Sequence, residues 1–420
     1  MSLPGTGTAV CTKIPILFQC PLHRNKTKVR FSSFKVRSKY KMESSDPSKR
    51  IIVCGAGVIG ACTAYFLGKK GAHVTVVEKC EPACAASGKA GGFLALDWCD
   101  GGPLSALARR SFVLHAELDA ELGGAANYGY RRLDTLSLSL QEGQAGTQAG
   151  LVLPAWVDGP ASRASHIGTP QTTAQVHPLL FTRTVLAAAA EKYGVTVVKG
   201  EVKEVRLSDR KEVCGVALEG GEVVEGDGVV LALGPWSARN AVISGLCRIS
   251  GLKVHSIVLW PQDPETIGRQ ALSISYKTAQ GKSREHEVYP RPTGEVYICG
   301  MSEEVEVPGD PQQIQPRKES ITMLQRVART VSSHLGNAEV KAEQACFLPC
   351  SEDGIPVIGK IPDIGGAYVA TGHSCWGILN APATGASMAE LIVDGHAKSV
   401  DLKPFDPARF RRSSRNVSIS

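Results

Sequence analysis

The 420-residue sequence predicts an α/β protein. A dinucleotide-binding domain on a parallel sheet, discontinuous along the chain, is interrupted by a domain built on an antiparallel sheet. Three observations predict this. Arg50-Ile-Ile-Val-Cys-Gly-Ala-Gly-Val-Ile-Gly reads as a strand, a glycine turn and a helix start, and a second strand, His73–Glu78, closes on an acid. The apolar run 229–233, bounded by Asp227-Gly228 and Gly234-Pro235, reads as a parallel strand buried on both faces. Strand patterns at 252–260, 271–275, 287–290 and 296–300 follow one another without a helix between them, as in an antiparallel sheet.

The first unit carries the most chemistry. Gly55 permits the tight turn off the strand, Gly57 lets the backbone approach a pyrophosphate, and Gly60 lets the helix over 58–70 pack closely on the sheet. That helix points free N–H groups and its positive dipole end at phosphate. Glu78 stands 21 residues beyond Gly57 at a strand end, where a carboxylate accepts hydrogen bonds from a ribose diol. The bland alternative is a glycine turn without a ligand. Next comes Cys84-Ala-Ala-Ser-Gly-Lys-Ala-Gly-Gly-Phe, whose small residues predict a loop in close backbone contact with something.

Helical patterns then cover 104–122, and 141–175 reads as a long, partly irregular surface excursion. Structure resumes at His177-Pro178 with a helix over 181–193, followed by strands at 195–199, 202–207 and 213–218. After the antiparallel strands a helix spans roughly 316–335, a strand covers 368–371, and a last helix runs from near Ala381 to Val393. The domains expected are therefore 50–140, 176–245 and 345–398 for the nucleotide, with 141–175 and 246–344 forming the second domain. A tail covers 399–420.

Composition narrows the class. With 43% hydrophobic and 21% charged residues the chain is that of a soluble globular protein, and no apolar run approaches the ~20 residues of a membrane-spanning helix. The net charge of +7 is concentrated at one end: residues 1–42 hold nine Lys or Arg and no acid. Those nine leave 38 of the 47 basic residues against 40 acidic ones, so the folded part is nearly neutral and bears no nucleic-acid footprint. The leader has the composition of an organelle transit peptide, with chloroplast import expected ahead of mitochondrial import. A disordered tail is the plain alternative, and a start at Met42 would give a cytoplasmic form. Thirteen cysteines form no Cys-x-x-Cys pair and no zinc-spaced set, so no metal site is expected and a reduced compartment fits.

Six segments in order resemble the FAD-dependent oxidoreductases of the D-amino-acid oxidase, glycine oxidase and sarcosine oxidase superfamily. They are Gly55-Ala-Gly-Val-Ile-Gly with Glu78, Ser87-Gly-Lys-Ala-Gly-Gly, His177-Pro-Leu-Leu-Phe-Thr, Ala232-Leu-Gly-Pro-Trp-Ser, Asp353-Gly-Ile-Pro-Val-Ile-Gly and Thr371-Gly-His-Ser-Cys-Trp-Gly. The last is most similar to a poorly characterised fungal and plant branch of oxidoreductases. The resemblance covers about residues 50–395 and implies a Rossmann-type FAD-binding domain with an inserted antiparallel-sheet substrate domain. It also implies oxidation at a C–N bond of a small amine or modified amino acid, with flavin as hydride acceptor and oxygen as electron acceptor. An FAD-binding assembly or trafficking factor with little turnover is the competing reading.

On this resemblance, the expected FAD contacts are Gly55, Gly57, Val58, Ile59, Gly60, Glu78 and Lys79 in the first unit. Ser87, Gly88, Lys89, Ala90 and Gly91 follow in the second segment, then Gly234 and Trp236. Gly372, His373, Trp376 and Gly377 stand nearest the chemistry, where backbone N–H groups would face the flavin ring and favour the negative charge it acquires. The plainer readings are a core indole for Trp236 and a satisfied structural imidazole for His373. Gly385 is expected to let the last helix approach closely.

Two positions depart from the resemblance or leave it open. The arginine that holds the substrate carboxylate in these amino-acid oxidases falls here on Leu348, which an apolar side chain cannot replace as a bidentate partner. Arg291 in Tyr289-Pro-Arg-Pro is a candidate substitute, or else a solvent-exposed charge at a hairpin edge. Cys346, seven residues before Asp353, resembles in spacing the flavin-linking cysteine of the sarcosine oxidase group, and equally fits a buried structural thiol.

Overall fold

Five parallel strands and one antiparallel edge strand form the sheet that carries the glycine turn. The computed structural model describes residues 49–144 and 146–411. Edge to edge, the order is Val357–Lys360, Ala367–Thr371, Gly228–Leu231, Arg50–Cys54, His73–Glu78 and Thr196–Lys199. Only Val357–Lys360 runs antiparallel to its neighbour. Arg50–Cys54 pairs on both sides, Val53 opposite Val230 and Val76, and its four apolar residues are buried. This accounts for an apolar run without alternation: both faces are covered by other elements. One face receives the helices Val58–Lys69, Ser105–Leu122, Pro178–Tyr193 and Gly377–Val393 through a single large core.

The second sheet has seven strands in the order Glu339–Ser351, Ile249–Trp260, Val296–Glu304, Ser283–Pro290, Ala271–Lys277, Thr135–Gln141 and Ala161–Gly168. Every pair is antiparallel except Ala271–Lys277 beside Thr135–Gln141, which is parallel. The helix Lys318–Val331 covers its outer core through Ile321, Leu324 and Val327. Val357–Lys360, Ala367–Thr371 and the last helix then complete the first layer. No helix among the described residues is long and apolar enough to cross a membrane.

The structure moves several expected boundaries. Thr135–Gln141 belongs to the second sheet although 50–140 read as nucleotide domain, and residues 345–351 lie in the long strand Glu339–Ser351 of that same sheet. A strand that pairs only at long range carries no local mark of which sheet it joins. The partly irregular stretch 141–175 holds the edge strand Ala161–Gly168 and the short strand Thr173–Gln175. The loop after Cys84 contains a helical turn, Ala86–Lys89, and the strand Phe93–Ala95, which pairs with Thr173–Gln175. The tail packs on the first layer over residues 399–411. Phe405 is buried, and Arg409 binds Asp353 at 2.7 Å. The helix expected over 316–335 breaks at Ser332, whose hydroxyl caps a final turn. The leader expected to act as a transit peptide lies outside the described residues.

The largest local correction concerns the last helix. The helix expected from near Ala381 runs Gly377–Val393, with Pro382 inside it. An internal proline removes the donor for the carbonyl four residues earlier, Ile378. His115 supplies it instead, with Nε2 3.0 Å from Ile378 O and 3.2 Å from Leu379 O. Ala383 N–H donates to Ser111 Oγ at 3.1 Å. Helix Ser105–Leu122 thus mends the break, and Gly385 lets the last helix touch the backbone of Cys62 and Thr63. His115→Ala leaves buried carbonyls unpaired and is expected to cost about 2–3 kcal/mol in chemical denaturation. His115→Gln, which keeps a donor, should recover part of it.

Candidate active site

The glycine turn is built by close contact. Gly55 has φ +106°, and a Cβ there would overlap the Ala232 carbonyl of the adjacent strand end. A Cβ on Gly60 would overlap the Gly55 carbonyl oxygen, so this helix and strand meet at van der Waals limit. Gly57 is the N-cap, and the first turn that follows holds no acidic residue to occupy its donors. Ser87 Oγ accepts from Val58 N–H at 2.9 Å, bringing the second expected segment onto the helix start.

Glu78 lies at the carboxyl end of its strand with both oxygens fixed. Oε2 accepts from Ala56 N–H at 2.7 Å, and Oε1 from Cys80 N–H at 2.9 Å. Burial pushes this carboxyl up, while the backbone donors favour its charged form. Lys79 pairs with Glu201 at 2.8 Å and donates to Gly309 O at 3.3 Å. The ligand atoms of Glu78, Cys80 and Cys84 lie within 4.8 Å of one another. The two thiols hydrogen-bond each other, and burial raises both, Cys84 to about 12, so both keep their protons beside Glu78. All described cysteines are free.

From Glu78 a cavity of about 590 Å³ passes between the two sheets to the loop before the last helix. Of the expected contacts, Gly55, Gly57, Val58, Ile59, Glu78, Lys79, Ser87, Ala90, Gly91, Gly234, Trp236, His373 and Gly377 line it. Gly60, Gly88, Lys89, Gly372 and Trp376 do not: they shape the walls from behind. Lys89 Nζ donates to Ala345 O at 3.1 Å, tying its loop to the second sheet. Trp376 is half-buried and meets the ring of Trp98 edge-on at 6.5 Å. Trp236 faces the cavity and donates from Nε1 to Pro308 O at 2.7 Å.

Arg291 is neither a solvent-exposed edge charge nor part of the lining. It is buried, bonds Glu295 at 3.4 Å and Ala90 O at 3.2 Å, and lies 5.1 Å from the Tyr297 ring centroid. Tyr297 OH in turn donates to Lys89 O at 3.0 Å. Both side chains hold the 87–91 segment against the second sheet, which makes Arg291 a positioning group.

At the far end Gly372 and Ser374 adopt positive φ, and the chain turns so that residues 373–375, 377 and 378 face the cavity. His373 is buried, with Nε2 3.0 Å from Thr384 Oγ1. Burial drives it down to about 3, so it is neutral at physiological pH. The unfolded chain takes up this proton near 6.5 and the folded chain only near 3, so stability present above pH 6.5 is lost as pH falls through that window. His373→Gln should make the stability difference between pH 7 and pH 5 smaller by about 2 kcal/mol in denaturant titrations.

The opposite wall joins two residues singled out from the sequence to three that were not. Leu348 and Cys346 line it, where an arginine would hold a carboxylate, and burial pushes the Cys346 thiol up to about 11. Glu287, Tyr297 and Cys299 complete it. The available signal was register: Glu287 and Tyr289 share a face with Cys299 and Tyr297 opposite, and a carboxylate on an aromatic face is out of place at a solvent surface.

The residues fit FAD by this structure's own features: an acid-free helix start beneath a glycine turn, a buried acid at the second strand end, and one continuous cavity. This is the site of a flavoprotein oxidoreductase. Residues 50–391 match the FAD-dependent oxidoreductase family, and the chain belongs to it. It is an enzyme of the amine and amino-acid oxidase type. It is 33% identical over 388 residues to a Schizosaccharomyces pombe protein named "putative oxidoreductase", covering 86% of this chain and 98% of that one. Glycine oxidase of Pseudomonas aeruginosa is 28% identical over 380 residues, covering 86% and 99%. The crystal structure of glycine oxidase from Geobacillus kaustophilus superimposes with a TM-score of 0.71 at 24% identity, covering 86% and 99%, and shares the fold.

Proposed function

We propose that this chain binds FAD and oxidises a C–N bond of a small amine or modified amino acid, with oxygen as electron acceptor. The observation that carries the reading is the single cavity joining Glu78 to the 373–378 turn. FAD, when bound, supplies the hydride-accepting ring, and hydride leaves the carbon next to nitrogen to give an imine that water hydrolyses. The chain's own work is placement. Glu78 would hold the ribose, Ser87 and the helix start at Gly57 the phosphates, and the backbone at 373–378 the polar edge of the ring. Neutral His373 adds no positive charge there, which leaves oriented N–H groups as the stabilising electrostatics. Buried Tyr289, Cys299 and Cys346 keep their protons at neutral pH, so none competes as a nucleophile.

Oxygen uptake and peroxide release by the FAD-loaded chain against amines and amino acids test this reading. It predicts turnover with at least one amine, together with the matching carbonyl product, and turnover only with NADPH would refute it. The basic, acid-free leader supports chloroplast import, which a fluorescent fusion of residues 1–42 tests.

A further inference from the structure

We propose that Glu287 is the substrate-recognition residue, and that the substrate is a cationic amine without a carboxylate beside its nitrogen. This rests on the reading of the cavity as an amine-oxidising site and names the class of amine. The charge along the lining is unevenly placed. Its three cations, Lys79, Lys203 and Arg239, gather at the Glu78 end: Lys79 bonds Glu201 and Gly309 O, Lys203 follows on the next strand, and Arg239 donates to Val307 O. At the end nearer the 373–378 turn the lining is Val254, Tyr297, Cys299, Cys346, Leu348 and one charge, Glu287.

Glu287 is exposed on the cavity wall. Its partners are neutral donors: Cys299 Sγ at 3.3 Å and the Tyr289 hydroxyl. Among the described residues no Lys, Arg or His makes an ion pair with it. The two cations just behind this wall are already engaged, Lys89 with Ala345 O and Arg291 with Ala90 O and Glu295. The wall therefore offers a fixed anion with open acceptor positions and no cation for an incoming carboxylate. An ammonium head meets a charge-assisted partner there. An α-amino acid would bring its own carboxylate toward Glu287 and find only Leu348 where a cation is required.

The test uses the full chain loaded with FAD, titrated at pH 7 with n-butylamine and with butyrate. Binding is read from perturbation of the visible flavin spectrum and by calorimetry. Butylammonium is expected to bind saturably and butyrate not. Glu287→Gln should weaken butylammonium by about 10- to 100-fold at unchanged flavin content, and Glu287→Arg should exchange the preference toward butyrate. No saturable butylammonium binding, butyrate binding as tightly to the wild type, or an unchanged affinity in Glu287→Gln would each overturn the proposal. Anaerobic mixing separates it from the wider reading. Flavin bleached by glycine but not by simple amines leaves C–N oxidation standing and removes the role of Glu287. Amine binding that depends on Glu287 with no bleaching by any amine or amino acid does the reverse.

Discussion

Replacing Gly60 by alanine is expected to yield a chain that folds poorly and purifies without flavin. The new methyl group would occupy the space of the Gly55 carbonyl oxygen, an atom fixed at the end of a buried strand. Neither partner can yield cheaply. The strand is paired on both sides, and the helix Val58–Lys69 is pinned from behind by the last helix, which meets Cys62 and Thr63 through Gly385. Overpacking of this kind costs about 1–3 kcal/mol, and here the strain falls on the turn that approaches the phosphates. Thermal unfolding with and without added FAD, with the ratio of visible to ultraviolet absorbance, reads both effects. A Gly60→Ala protein with the wild-type flavin ratio would show that the close approach does not matter for binding.

Loss of the Glu78 carboxylate should weaken FAD by roughly 100-fold or more, at about 1.5–3 kcal/mol for each hydrogen bond to a charged group. The carboxylate does two jobs. It satisfies the Ala56 and Cys80 N–H groups, which fixes the turn, and its remaining lone pairs serve ribose hydroxyls. Glu78→Ala removes both. Glu78→Gln is the sharper probe: each oxygen already accepts an N–H, so the amide nitrogen must face a donor, and affinity should fall although size is kept. Fluorescence titration of the apoprotein with FAD measures the series. Equal affinity in wild type and Glu78→Gln would mean that the acid is a bystander.

Much of the architecture was legible because short-range physics writes it. The glycine turn, the acid 21 residues beyond Gly57 and the strand ending at Gly234-Pro235 each follow from local geometry, and residues from every one of them line the cavity. What was not legible depends on partners far along the chain. The last helix begins four residues before the expected Ala381 because His115, on another helix, replaces the donor that Pro382 lacks. Thr135–Gln141 falls within the expected 50–140, but its pairing with Ala271–Lys277 places it in the other sheet. Arg291 changes from an edge charge to a buried strut once Ala90 and Glu295 close around it. Glu287 reads as one polar residue in an alternating strand, and only its register against Cys299 turns it inward.

Everything proposed for this chain depends on a cavity that holds FAD and presents it to an amine. The most direct measurement is the visible spectrum of the purified, FAD-supplemented chain under strict anaerobiosis, before and after addition of amines and amino acids. The expected result is a bound flavin spectrum that at least one amine bleaches and that returns on admission of air. A colourless protein that takes up no FAD would contradict it.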